Sequence, residues 1–191
     1  SFIFKNNFMH HCIEKNPYRM LGVAANADVL EVNEARATIA AYTKIGKSAP
    51  LKFDISPPLP TVDRDERSMT AATNMLQFPK NQILHAFYWF INNSSFDQIA
   101  LQQLTQDRDI KRALNSFEGG SRSFSLSSKT YASIINHSTL DIIDYVNHKS
   151  FERFKYAVSR KFDVLEDKKV FESISSSWEN TDEYGSKLFV N

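Results

Sequence analysis

The chain has 191 residues, with 23 Lys plus Arg against 22 Asp plus Glu and a net charge of +1. That length can build one large domain or two small ones around a sizeable core, and so balanced a charge gives no field that would attract nucleic acid or an anionic membrane. A single cysteine, Cys12, excludes an internal disulfide and a cysteine-built zinc cluster, and it agrees with a reducing compartment.

No charged start followed by an apolar run and a small-residue cleavage site is visible, so the expected location is cytoplasmic, although the chain opens at Ser1 rather than Met. Five glycines, few alternating Val-Ile-Thr runs and many apolar positions spaced by three and four predict an all-α protein. Phe4, Phe8 and Cys12 share one face if residues 2–13 are helical. Asn16 before Pro17 is a helix start, with Gly22 ending the element and Tyr18 and Leu21 pointing inward.

Asn26 or Asp28 caps the next helix, whose Val32, Ala35, Ile39 and Tyr42 share a face before Gly46 stops it. Residues 47–62 hold Pro50, Pro57, Pro58 and Pro60 and read as a stiffened loop. Asp63 and Glu66 stand at capping-box spacing, and Met69, Ala72, Thr73 and Leu76 line the helix they start.

Behind Pro79 comes the densest apolar stretch, Phe78 to Ile91, interrupted after Ile83 only by His85. A helix there is apolar all round and must be buried on several sides, and at about half the roughly 20 residues needed to cross a bilayer it reads as a core helix. Asn92 to Ser95 end it with polar turn formers, placing a boundary at residue 95 between domains 1–95 and 96–191.

Beyond that boundary Phe96, Ile99, Ala100 and Leu104 make one amphipathic helix, and Ile110, Ala113, Leu114 and Phe117 a second that Gly119-Gly120 stops. Tyr131 to Tyr145, then Phe151 to Phe162, suggest two longer helices, and Asp167 to Trp178 a last one. Helices paired by short turns are tetratricopeptide-like at most, since no repeat period matches residue for residue.

Within residues 15–91 the order of elements resembles the J-domain of DnaJ-type co-chaperones. Asn16-Pro17-Tyr18-Arg19-Met20-Leu21-Gly22-Val23 resembles that family's Tyr-x-x-Leu-Gly-Val opening, Asn26-Ala27 the turn into its second helix, and Leu76 ahead of Pro79 its Leu-Ser-Asp-Pro signal. The resemblance implies a helical bundle that stimulates a DnaK-type ATPase through a His-Pro-Asp tripeptide. This chain has no such tripeptide: Lys44-Ile45-Gly46 stands in the equivalent stretch, and the nearest acid is Asp54. The resemblance further implies partner docking on a basic second-helix surface, here Arg36, Lys44, Lys47 and Lys52, which Glu31 and Glu34 dilute toward an ordinary solvated face.

Other chemistry is weaker than its bland explanation. His10-His11-Cys12 lacks a second ligand cluster, His85 reads as a core histidine, and His137 and His148 have no nucleophile beside them. Asp63, Asp65 and Glu66 are helix-start acids, Arg160, Lys161, Lys168 and Lys169 solvated helix charges, and Gly119-Gly120 lacks the Lys of a phosphate loop. The expectation is therefore a non-enzymatic protein-interaction module without a cofactor or metal, its partner a DnaK-type chaperone or a peptide client. The alternatives are a divergent active co-chaperone and, from another class, a helical hydrolase or nuclease with its site between the halves.

Overall fold

The computed structural model describes residues 11–122 and 130–168, which form helices and connecting turns with no strand among them. The all-α expectation holds.

Helix α1, Pro17–Leu21, starts where Asn16 accepts the Tyr18 amide at 3.1 Å and ends at Gly22, whose φ of 71° and contact with Leu51 leave no room for a Cβ. Helix α2, Val29–Lys44, is closed at its start by a reciprocal cap between Asp28 and Glu31. Helix α3, Glu66–Met75, is capped by Asp65 and Ser68, not by the expected Asp63–Glu66 pair; the Asp65 amide is bonded to Ser68 Oγ at 3.0 Å, which places the helix start two residues later.

The apolar stretch departs further from expectation. Helix α4 spans only Pro79–Ala86, and Trp89, Phe90 and Ile91 follow in a non-helical connector although each is almost wholly buried. Helix bonds are replaced by distant partners: Phe90 C=O accepts from the Ala25 amide at 2.8 Å, and Ile91 exchanges two hydrogen bonds with the Asn136 carboxamide at 2.8 and 2.7 Å. The Trp89 indole donates to Val23 C=O at 2.9 Å. Phe78 and Leu84 are exposed, so α4 itself is not buried all round.

Helix α5, Ser95–Thr105, is capped by Ser94 and Asp97 and buries Asp97, Ala100, Leu101 and Leu104. Phe96 and Ile99, expected inward, are substantially exposed. Helix α6, Ile110–Arg122, runs through Gly119-Gly120 instead of stopping there. The absence of a side chain at Gly120 serves packing, because a Cβ would lie 2.5 Å from Ser133 Oγ and 3.0 Å from Phe96 Cβ.

Helix α7, Tyr131–Ile143, is buried along nearly its whole length, followed by the single turn α8, Tyr145–His148, and by α9, Phe151–Glu166. Helix α5 packs on α6, α6 and α9 pack on α7, and α1 packs on α3. One apolar cluster runs from Ile13 through Trp89 and Phe90 to Val164, with Phe90 stacked on Phe117 at 6.3 Å. Each large side chain in it contributes about 1.5–3 kcal/mol by leaving water. No helix among the described residues is long and apolar enough to cross a membrane. The helix expected from Asp167 lies, beyond residue 168, outside the described residues.

Candidate functional site

The four basic residues singled out in the sequence, Arg36, Lys44, Lys47 and Lys52, are all exposed. They do not converge on one pocket. Arg36 and Lys44 stand on α2 about two turns apart, Lys47 follows the Gly46 stop, and Lys52 lies in the loop with its ammonium 5.5 Å from the Phe53 ring centre. Between Glu34 and Asp54 these four are the only charged side chains, so the acids that dilute the surface are confined to the first half of α2.

Helix α2 leaves much of its surface open. Ile39 is its one fully buried side chain; Val29, Leu30 and Ile45 are 76 %, 65 % and 64 % exposed, and Ala37, Ala40 and Ala41 lie open between them. A helix normally derives its stability from an amphipathic face packed on a core, and here that face is the expected Val32, Ala35, Ile39 and Tyr42, of which only Ile39 is fully buried while Val32 and Ala35 pack partly covered against the core.

The proline-rich loop behind α2 is fastened by two arginines that the sequence pattern did not mark. Arg19, on α1, is buried and donates to the carbonyls of Glu14 and Asp54 at 2.9 to 3.1 Å. Arg64 is buried, donates to Met20 C=O, Ala49 C=O and Arg19 C=O, and forms an ion pair with Asp54. Burial pulls the Arg19 guanidinium down to about 10, with Asp54 acting against that pull and Arg64 adding to it. Asp54, the nearest acid to the stretch where the resemblance expects a His-Pro-Asp tripeptide, is thus an internal counter-ion; its backbone carbonyl and carboxylate both serve the loop. In a five-residue helix flanked by buried Tyr18 and Leu21 every side faces protein, and that is the one signal that could have shown Arg19 to be internal.

Beside Lys52, residues from the start of α2, the loop and α5 enclose a polar cleft of about 310 Å³. Its walls include Asp28, Glu31, Phe53 and Asn92, and α5 contributes Gln98, Gln102 and, at its C-terminal cap, Gln106.

A wider groove of about 600 Å³ lies among α6, α7, α8 and α9, lined by Leu114, Glu118, His137, Asp141, Arg153 and Tyr156 among others. Asp141 is ion-paired with Arg153 across it. His148 has both ring nitrogens engaged, Nδ1 accepting from the Ser150 amide and Nε2 facing Asp141 C=O, so it fastens the α8–α9 turn.

His85 is half-buried, and burial lowers its pKa. His11 is exposed and burial raises the Cys12 thiol; His10 lies outside the described residues. Lys161, expected among solvated helix charges, is instead fully buried on the inner face of α9, with Nζ donating to Phe87 C=O, Thr139 Oγ1 and Ile135 C=O at 2.5, 2.6 and 3.3 Å. Its pKa is lowered to about 7 by burial. Three acceptors match the three N–H bonds of an ammonium, and the Tyr88 ring covers it at 5.8 Å.

Comparison with protein-family models, with curated proteins and with solved structures found no match.

Proposed function

We propose that the chain is a non-enzymatic protein-interaction module, J-domain-like in its first ninety residues, that docks an acidic protein partner on α2 and the loop that follows. The observation carrying this reading is the state of α2: sixteen residues with one buried side chain, exposed Val29, Leu30 and Ile45 at its ends, and an alanine-rich face between. Apolar exposure of this kind on a helix marks a surface that a partner covers. Arg36, Lys44, Lys47 and Lys52, uninterrupted by acids, supply the steering charge for an acidic surface.

The resemblance supports a DnaK-type chaperone as the first partner to test, and Lys44-Ile45-Gly46 in place of the tripeptide argues for docking without the usual ATPase stimulation. The experiment compares wild type with the Arg36→Glu, Lys44→Glu, Lys47→Glu variant in binding to, and rate stimulation of, a DnaK-type ATPase, together with a pull-down from native extract. All three side chains are exposed, so circular dichroism should be unchanged. Binding that the reversal abolishes supports the module. Stimulation that the reversal abolishes replaces it with an active, divergent co-chaperone. Identical partners for both proteins would end the reading.

A further inference from the structure

Charge changes sign along α2. The acids Glu31 and Glu34 come first, the cations Arg36 and Lys44 follow, and Lys47 lies just beyond the end. Glu31 is engaged in the cap, whereas Glu34, Arg36 and Lys44 form no ion pair with a described residue.

At 3.6 residues per turn, successive residues stand about 100° apart, which sets Leu30, Glu34, Ala37, Ala41 and Lys44 within about 80° of one another on the side of the helix away from Ile39. All five are exposed. The outward face thus carries an acid near its start, a cation at its end and alanines between.

Such a face is complementary to its own reversal. Glu34 and Lys44 lie equally far from Ile39 on either side, and so do Ala37 and Ala41. A twofold axis at the level of Ile39 therefore brings Glu34 of each copy level with Lys44 of the other and Ala37 level with Ala41, while Leu30 comes within about 5 Å, measured along the helix, of the exposed Ile45 of the other copy. Small side chains at the crossing let the two helices approach closely. A parallel pair would set Glu34 against Glu34 and Lys44 against Lys44, so the order of charges selects the antiparallel one. An acidic partner is held by the basic end and the loop alone; a second copy satisfies both ends of the helix.

We infer that α2 is also the surface through which two copies of this chain associate, antiparallel about a twofold axis near Ile39, with Glu34 of each against Lys44 of the other. This rests on the reading of α2 as an interaction face and adds a regulation to it: a copy held in the pair has that helix covered, so self-association and the acidic partner exclude each other. One helix pair buries less than a standard interface, and the association is accordingly weak and set by concentration.

The test is sedimentation velocity on the whole chain from about 1 to 300 μM at low salt, where weak charge-assisted pairs are populated. Wild type should dimerise with rising concentration. Glu34→Lys and Lys44→Glu should each weaken the dimer about tenfold or more with unchanged circular dichroism, both positions being exposed. The two single variants mixed in equal amounts should pair with each other at close to wild-type strength, because each supplies the charge the other lacks. A chain monomeric over the whole range, a dimer indifferent to both reversals, or a mixture no more associated than its components would overturn the inference. A monomeric chain whose binding to a DnaK-type chaperone is still abolished by the Arg36, Lys44 and Lys47 reversal would overturn it while leaving the α2 docking reading standing. A dimer that obeys the charge rules, with chaperone binding untouched by that reversal, would support the self-association and remove the docking.

Discussion

Asn136, in the middle of α7, takes the place of a helical neighbour for Ile91, forty-five residues earlier, by bonding both its amide and its carbonyl. The same side chain donates to Asp97 at 3.0 Å, and Asp97 in turn accepts from Ser133 and caps α5 with Ser94. One buried polar cluster thereby fixes where the aromatic connector ends, where α5 begins and how α7 lies across both.

Replacing Asn136 by Leu leaves the buried Ile91 amide and carbonyl without their partner and removes one of the two donors to Asp97 Oδ1, which keeps Ser133. The expected loss is about 3 kcal/mol in urea denaturation, against about 1 kcal/mol for Ser133→Ala, which removes a single hydrogen bond to the same carboxylate.

Lys161 makes stability depend on pH in a defined direction. Burial lowers its folded-state pKa to about 7 from an ordinary 10.5, so below pH 7 both states carry the charge and the full desolvation cost is present. Between about 7 and 10.5 the unfolded chain binds more protons than the folded one, and stability rises with pH. Urea melts of wild type and Lys161→Met at pH 6, 7.5 and 9 should show wild type gaining on the variant as pH rises, by roughly 2–4 kcal/mol across the window. A constant difference would show that the buried amine does not titrate there.

Adjacent glycines in α6 should respond oppositely. Gly120→Ala drives a methyl group into Ser133 and Phe96 and is expected to cost about 1–3 kcal/mol. Gly119→Ala meets only the Phe96 ring at ordinary contact distance, 3.6 Å, and should stabilise by up to about 1 kcal/mol through helix propensity. The two thermal midpoints, measured side by side, separate packing from backbone preference.

Local chemistry was legible and distant chemistry was not. Asn16, Pro17 and Gly22 delimit α1 because caps act within four residues, and Asp28 with Glu31 announces α2 for the same reason. The burial of Trp89 and Phe90 could be read from composition, but the end of the helix at Ala86 could not, because the groups that substitute for helix bonds come from Ala25 and Asn136. Arg19, Arg64 and Lys161 look like surface charges in the one-letter string; each has a carbonyl partner in a loop or connector with no periodicity, Asp54, Ala49 and Phe87 in turn. Of the expected stripe Ala100 and Leu104 are buried, but Asp97, tied to Ser133 and Asn136, rotates the inward face so that Leu101 joins it and Phe96 and Ile99 are left exposed. Of the candidate site, the basic residues were visible, whereas the cleft beside Lys52 depends on α5 lying next to that loop.

The bond from Lys161 to Phe87 spans seventy-four positions, and Phe90 stacks on Phe117, so part of the cover of the aromatic connector comes from residues made after it. During synthesis the connector leaves the ribosome before α7 and α9, so for several seconds, at elongation rates of about 5–20 residues per second, Trp89 and Phe90 have only their earlier partners, such as Val23 and Ala25, to cover them. The consequence expected is an apolar surface left part-covered during synthesis, so that the yield in a cell should depend on how quickly the last helices follow the first.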